Sequence, residues 1–330
     1  MRIFFIGSQE YGLQAFKKIL KASEESTSKI KLVGAISLEP APHEVWEDNI
    51  KKLAFEKDIP FKTVKDHLTL EAGSAPTINN EEYVEFVKEK KPDLVFVFGW
   101  RQLIGKKIRQ LPTNGVIGIH YSLLPKYRGH APISWALIND EKNTGLSLFY
   151  FGAGVDCGDV LMQKKVPILD EDTIGTLRKK VNHSAMKCID ELISYIQQED
   201  RLPTAKPQCE EEATITAYRL PQHAIVDWSK SDREVYNLIR ASSEPYSGAY
   251  TFLDNHKVTI WAAELLPTSP KYIGLPGQIL KNVKKQGIIV KTGENAILVK
   301  RMQMSATNNV PPGALKDTRR MFGRENNVGY

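Results

Sequence analysis

Residues 2–198 alternate short apolar runs with amphipathic stretches, and this alternation limits the fold more than any other feature of the chain. RIFFIG (2–7), KLVGAIS (31–37), DLVFVFG (93–99), GVIGIH (115–120), TGLSLFYF (144–151) and VLMQKKVPI (160–168) have the length and the β-branched and aromatic content of buried strands. Between them, LQAFKKILKA (13–22), VWEDNIKKLAFEK (45–57), EEYVEFVKEK (81–90) and APISWALIND (131–140) place apolar residues at helical spacing, and a long helical segment covers 173–198. Strands separated by helices predict an α/β, Rossmann-like domain with a doubly wound, mostly parallel sheet over residues 1–203. Ligands of such sheets bind beyond the carboxyl ends of the strands.

The pattern changes after residue 203. Residues 204–215 (TAKPQCEEEATI) read as a linker, with the acidic run 210–212 as a solvated part of it. Beyond it, Ser231 and Glu234 have the spacing of a capping box and predict a helix start. GAYTFL, KVTIWAAEL, GQILKN, GIIVKT and AILVKRMQ then follow as short β-rich runs separated by turn residues. They predict a small OB-like β-barrel domain over 216–312. The polar tail 313–330 is expected to be disordered.

Bulk properties exclude several classes. The 330 residues suit two domains, and the formal net charge of +6 is diffuse, with no run of Lys and Arg that reads as a nucleic-acid patch. Cys157, Cys188 and Cys209 are scattered and form no CxxC pair, so neither a disulfide framework nor a structural zinc or other metal site is expected. The N-terminus turns polar at Ser8, and the longest apolar runs fall far short of a membrane span. The expectation is a soluble cytoplasmic protein that does not enter membranes. Homo-oligomerisation stays open.

The residues that carry chemistry stand at predicted strand ends. His120 ends one strand and opens a proline-rich loop; Asp156 follows the end of another, in GVDCGD. The carboxyl edge of one sheet brings such residues together from distant positions. A carboxylate beside an imidazole favours its charged form and fixes its tautomer, which builds a general acid/base. Taken alone, the two residues read equally as a structural histidine and a turn aspartate. GSQEYG (7–12) is not GxGxxG and reads as a plain strand-to-helix turn; His130 reads as a cap or a surface residue.

The surrounding words add to this. HYSLLPKYRGHAP and, further on, TGLSLFYFGAGVDCGDVL resemble the signature of the folate-dependent formyltransferases, Asn-x-His-x-Ser-Leu-Leu-Pro, then Arg-Gly, then Asp-x-Gly. His120, Ser122, Leu123, Leu124, Pro125, Arg128, Gly129, Asp156 and Gly158 stand in the matching places. MRIFFIG resembles the family's first strand, and DWSKSDREVYNLIRASSEPYSGAY, PGQI and GIIV resemble its C-terminal barrel. The resemblance implies transfer of a formyl group from 10-formyltetrahydrofolate to an amine through a tetrahedral oxyanion. His120 would be acid/base and oxyanion donor, and Asp156 its partner. It implies a folate cleft of Phe98, Gly99, Trp100, Leu123, Leu124, Leu148, Phe149, Tyr150, Phe151 and Gly152. Aromatic side chains there are suited to stacking on a pterin, or equally to core packing.

One position departs from the pattern. Gly118 stands where the family has Asn, an oxyanion donor, and loss of such a donor typically costs about 10²–10³ in rate. Three consequences remain open: a water donates instead, the protein hydrolyses formyl-folate, or it binds without turning over. If the missing amide matters, Asn at 118 should raise transfer.

The acceptor is read from smaller signals. The segment SLEPAPHEVWEDNIKKLAFEKDIP is short and acidic at Glu44, Glu47 and Asp48, whereas tRNA formyltransferases carry a basic insertion there. KPDLVFVFGWRQLI, SLLPKYRGHAP, ASSEPYSGAY and KVTIWAAEL most resemble sugar-nucleotide formyltransferases. The resemblance therefore implies a nucleotide-linked amino sugar as acceptor, with tRNA as the alternative. Ser122, Lys126 and Arg128 are then substrate-binding candidates. Arg128 reads equally as a structural tie of the loop.

Overall fold

The computed structural model describes residues 1–39, 49–65, 77–254, 256–268, 270–304 and 320–323. In chain order the elements are β1 (Arg2–Gly7), α1 (Gln9–Glu24), β2 (Lys31–Leu38), α2 (Asn49–Glu56), β3 (Phe61–Val64), α3 (Glu81–Glu89), β4 (Leu94–Phe98), α4 (Lys106–Arg109), β5 (Val116–His120), β6 (Arg128–Gly129), α5 (Pro132–Ile138), β7 (Asn143–Tyr150), β8 (Val160–Pro167) and α6 (Ile174–Glu199). After these come β9 (Ile215–Thr216), α7 (Asp232–Ser242), β10 (Ala249–Leu253), β11 (His256–Leu265), β12 (Ile279–Val283), β13 (Gly287–Lys291) and β14 (Ala296–Met304). The acidic positions Glu44, Glu47 and Asp48 lie outside the described residues.

The first sheet has the order β3-β2-β1-β4-β5-β7-β8. Neighbours from β3 to β5 are parallel, and β7 runs antiparallel to β5. Strands such as LVFVF in β4 are apolar throughout because both faces of the sheet are covered. Phe4, Phe5, Phe96 and Phe98 are buried, each contributing about 1.5–3 kcal/mol relative to exposure. The chain runs outward one way from β1 to β3, then resumes at β4 on the other side of β1, so a switch point lies between β1 and β4. Turns there are tight. A Cβ on Gly99 (φ +65°) would meet the Ser8 carbonyl oxygen at 2.4 Å, so the position requires glycine.

The chain divides into two compact units, and not at a single point. One comprises 1–128, 145–166 and 181–215; the other comprises 129–144, 167–180 and 216–330. This division differs from the expected cut at 203: the stretch 204–215 groups with the first unit, and two earlier segments group with the C-terminal sheet.

In the second unit, the sheet is antiparallel with the order β10-β11-β14-β13-β12. Ser231 caps α7: its Oγ accepts from the Glu234 N–H at 3.2 Å, and the Glu234 carboxylate accepts from the Ser231 N–H at 3.0 Å. Residues 320–323, placed by sequence in a disordered tail, bridge both edges of this sheet. Gly323 pairs with Phe252 in β10, and Met321 pairs with Gln278 just before β12. Phe322 between them is buried and stacks on Trp228 at 5.6 Å. A large apolar side chain outweighs the polar composition around it. The rest of the tail lies outside the described residues.

Candidate active site

His120 is the last residue of β5, at the carboxyl edge of the sheet, and it is buried. Its Nδ1 lies 3.4 Å from the Asp156 carboxylate, and its Nε2 donates to the backbone oxygen of Tyr127 at 2.7 Å. Both neighbours are acceptors. A neutral imidazole carries one N–H, so only the doubly protonated ring donates to both. Tyr127 and Asp156 each hold a positive φ, +61° and +50°, a left-handed conformation uncommon for residues with side chains. The chain therefore bends sharply on either side of the ring to present these two acceptors.

The loop after His120 is fixed from within. The Ser122 hydroxyl donates to the Lys126 carbonyl at 2.6 Å. The Ser147 hydroxyl on β7 donates to the Ser122 carbonyl, and the Gln163 amide on β8 donates to the Leu124 carbonyl. Arg128 is buried. It donates twice to the Gln208 side-chain oxygen, at 3.0 and 2.8 Å, and twice to the Glu210 carboxylate, at 2.9 and 2.7 Å. Its hydrogen bonds to Glu210 raise the guanidinium pKa further above its ordinary value, against burial.

Two of the three substrate-binding candidates make contacts within the protein. Ser122 is buried and ties the loop, and Arg128 donates to Gln208 and Glu210, which is the structural tie that its sequence pattern allows beside substrate binding. The acidic run at 210 is correspondingly more than a solvated stretch, because Glu210 grips Arg128. Lys126 alone of the three has an exposed side chain.

The expected folate-cleft residues separate by strand geometry. Antiparallel pairing sets Gly118 opposite Phe149 and His120 opposite Ser147, so Gly118, His120, Phe149 and Phe151 share one face. Tyr150 falls on the opposite face, with its ring against Gly115. Phe98, Leu124, Leu148 and Phe149 are buried, which fits the core packing that their sequence pattern equally allows. Gly99, Trp100, Leu123, Phe151 and Gly152 keep partial exposure. The Trp100 indole Nε1 is buried with no hydrogen-bond partner among the described residues. The backbone oxygen of Gly152 accepts from Arg109 at 2.6 Å.

Phe151 also explains the glycine. A Cβ on Gly118 would lie 2.3 Å from Phe151 Cε1 and 2.8 Å from Cζ. The aromatic ring occupies the space where an asparagine side chain would start. Sequence reasoning missed Tyr127, Arg109, Gln208 and Thr214. Tyr127 and Arg109 contribute through a carbonyl acceptor and a loop tie, and the other two sit in a stretch whose prolines and charges signal only a connection.

Comparison with known proteins gives the family. Residues 1–193 match the formyl transferase family and residues 220–316 match the formyl transferase C-terminal domain. The chain belongs to the formyl transferase family. The methionyl-tRNA formyltransferase of Caldanaerobacter subterraneus subsp. tengcongensis is 30% identical over 333 residues, covering 96% of this chain and 99% of the relative. Among solved structures, WlaRD, a sugar 3N-formyl transferase crystallised with dTDP and 5-N-formyl-THF, superposes with TM-score 0.64 at 18% identity, covering 93% of this chain and 98% of that one. HypX from Aquifex aeolicus in complex with tetrahydrofolic acid gives TM-score 0.56 at 18% identity, covering 95% of this chain and 46% of that longer one. The last two likenesses bear on the fold. Within this formyltransferase the side chains of His120 and Asp156 approach to 3.4 Å.

Proposed function

We propose that this formyltransferase moves the formyl group of 10-formyltetrahydrofolate to a primary amine, with His120 and Asp156 handling the proton. The observation that carries the reading is the imidazole at the carboxyl end of β5 held between the Asp156 carboxylate and the Tyr127 carbonyl. The amine nitrogen bonds to the formyl carbon, and the bond from that carbon to the folate N10 breaks. One amine proton passes by way of the His120–Asp156 pair to N10, so N10 leaves as a neutral amine. His120 donates a hydrogen bond to the carbonyl oxygen as charge develops there, and its Nε2 must leave the Tyr127 carbonyl to do so. Asp156 faces the other ring nitrogen and stabilises positive charge there when the ring carries the proton. The half-exposed Trp100 offers an apolar wall suited to a pterin, and its buried indole N–H, without a partner among the described residues, is a donor that a folate acceptor could meet only by displacing what covers it.

For the acceptor, two observations favour methionyl-tRNA over the nucleotide-linked sugar expected from sequence. The curated relatives that match nearly end to end are methionyl-tRNA formyltransferases. The charge is also unevenly divided. The first unit has as many acidic as basic residues, so the whole formal net charge of +6 falls on the second. A net-basic C-terminal unit suits a polyanion. The sugar reading keeps one specific support, the likeness of SLLPKYRGHAP and neighbouring segments to sugar-nucleotide enzymes, with Lys126 exposed for a phosphate.

The test mixes protein and 10-formyltetrahydrofolate with Met-tRNA, with a UDP-amino sugar, or with neither, and follows release of tetrahydrofolate. Release that requires Met-tRNA supports the first acceptor. Release that requires the sugar replaces it with the second. Release without an acceptor marks a hydrolase, one of the outcomes that Gly118 leaves open.

A further inference from the structure

The stretch 206–214, which sequence reads as a connection, hydrogen-bonds to the segments on both sides of His120. On one side, the Gln208 side-chain Nε2 donates to the backbone oxygens of Asp156 and Gly158 at 2.8 and 2.6 Å. On the other, Thr214 Oγ1 accepts from the Tyr127 N–H at 2.7 Å, and the Thr214 carbonyl accepts from the Arg128 N–H at 2.8 Å. Lys206 and Val160 exchange both backbone hydrogen bonds, at 2.8 and 2.9 Å, which seats the stretch beside the Asp156 loop. Tyr127 and Asp156 are the two residues that face the His120 nitrogens, and both hold left-handed backbone conformations that surrounding contacts must maintain.

Gln208 is chemically matched to its place. Its oxygen faces the Arg128 guanidinium, a pure donor, at 2.8 Å, while its NH₂ faces two carbonyls, pure acceptors. Glutamate has the same shape and would keep the Arg128 contact, yet would set a second acceptor against two carbonyl oxygens. Methionine would fill the volume and bond to neither side. Arg128, the arginine of the Arg-Gly motif, thereby connects to the Asp156 loop through one amide.

We infer that Gln208 is a positioning residue for formyl transfer: it holds the Asp156 loop so that the carboxylate stays against His120, while Thr214 holds Tyr127 on the ring's other side. The inference rests on the reading of His120 and Asp156 as the proton-handling pair. Misplacement of a reacting group by about 1 Å can cost 10²-fold in rate, so a fixed loop matters to turnover without touching ligand affinity.

The test is Gln208→Glu in the full chain, with Gln208→Met and Thr214→Val beside it. Three readouts are taken: kcat and KM for 10-formyltetrahydrofolate, thermal unfolding, and the ¹⁵N imidazole resonances of His120. The expected result is a fall in kcat of about 10²-fold for Gln208→Glu with KM changed less than roughly twofold, and displaced His120 resonances. Gln208→Met and Thr214→Val should show the same direction to a smaller degree. An unchanged kcat with unchanged resonances overturns the proposal, as does a rise in KM with kcat preserved. If Gln208→Glu fails to fold, the decision passes to the other two variants on the same criteria. If the wild-type chain transfers to no acceptor, the functional reading fails by itself. The His120 resonances then decide the positioning role, and unchanged signals in every variant overturn it.

Discussion

The Phe151 ring lies on Gly118: a Cβ added at 118 would meet Phe151 Cε1 at 2.3 Å. Adding an amide at 118 alone therefore does not simply restore an oxyanion donor, as sequence reasoning expects. Gly118→Asn must push aside a ring that also stacks on Phe149 at 5.3 Å. We expect Gly118→Asn to lose about 1–3 kcal/mol of stability, the usual cost of overpacking. In Gly118→Asn/Phe151→Ala the two costs should fall short of their sum by about 0.5–3 kcal/mol, the range for residues in contact. Thermal or urea unfolding of the four proteins measures this directly. Transfer by the double variant should exceed that of Phe151→Ala, because only there can the new amide reach the carbonyl. Additive stability losses would show that the ring yields freely.

A second expectation concerns the pair itself. Asp156→Asn keeps the shape and removes the charge that faces His120 Nδ1 at 3.4 Å. Its kcat should fall by about 10²–10⁴, the span of general acid–base catalysis. His120→Asn should cost a similar amount, and the double variant little more, because groups that act as a unit are not additive. Tetrahydrofolate affinity, measured by calorimetry, should stay within the wild-type range in all three. A double variant whose loss equals the product of the single losses would separate the two residues into independent roles.

The pattern of apolar runs made the first sheet legible, because a buried parallel strand must be apolar on both faces and a crossover helix must be amphipathic. β4 and β5 stand where LVFVF and GVIGIH predict them. β3 was missed because FKTV is short and half-polar at a sheet edge. The reach of His120 to Asp156 was legible through motif spacing, since strand ends converge at one edge. The ring's second partner was not, because the Tyr127 carbonyl is backbone and any residue could supply it. Gln208 and Glu210 were hidden for a different reason. Their stretch has no periodicity of its own, and its order comes from tertiary hydrogen bonds to Arg128 and to the loop carbonyls. The core roles of Phe98 and Phe149 follow from strand alternation only once register is known.

Trp100 gives a test of the folate wall. Its indole N–H is buried and has no partner among the described residues, and a buried donor left unmade is costly. A folate acceptor that meets this N–H would relieve that cost. Trp100→Phe should then weaken tetrahydrofolate binding by about 0.5–1.5 kcal/mol, the net worth of one neutral hydrogen bond, while the free protein keeps or gains stability. Calorimetric titration and unfolding of the same two proteins measure both signs. Equal affinity in both would place the ligand elsewhere.

The barrel expected for the C-terminal unit is joined at its edges by a piece of chain that composition assigns to a loose tail. Residues 320–323 pair with Phe252 on one edge strand and with Gln278 at the start of the other, and Phe322 lies in the apolar interior with Trp228, Val235 and Ile279. Removing a buried aromatic side chain leaves a cavity that rigid strands fill poorly. Phe322→Ala should therefore cost about 3–5 kcal/mol of the second unit's stability. Trp228 stacks on Phe322, so its fluorescence should change in the folded state and report the lower midpoint on unfolding. A chain ending at residue 319 should match Phe322→Ala or exceed it, because it loses the edge pairing as well. Transfer chemistry at His120, all of whose partners lie in the first unit, should survive at temperatures where the second unit stays folded. A Phe322→Ala protein as stable as the parent would show that the edges of the sheet hold without this segment.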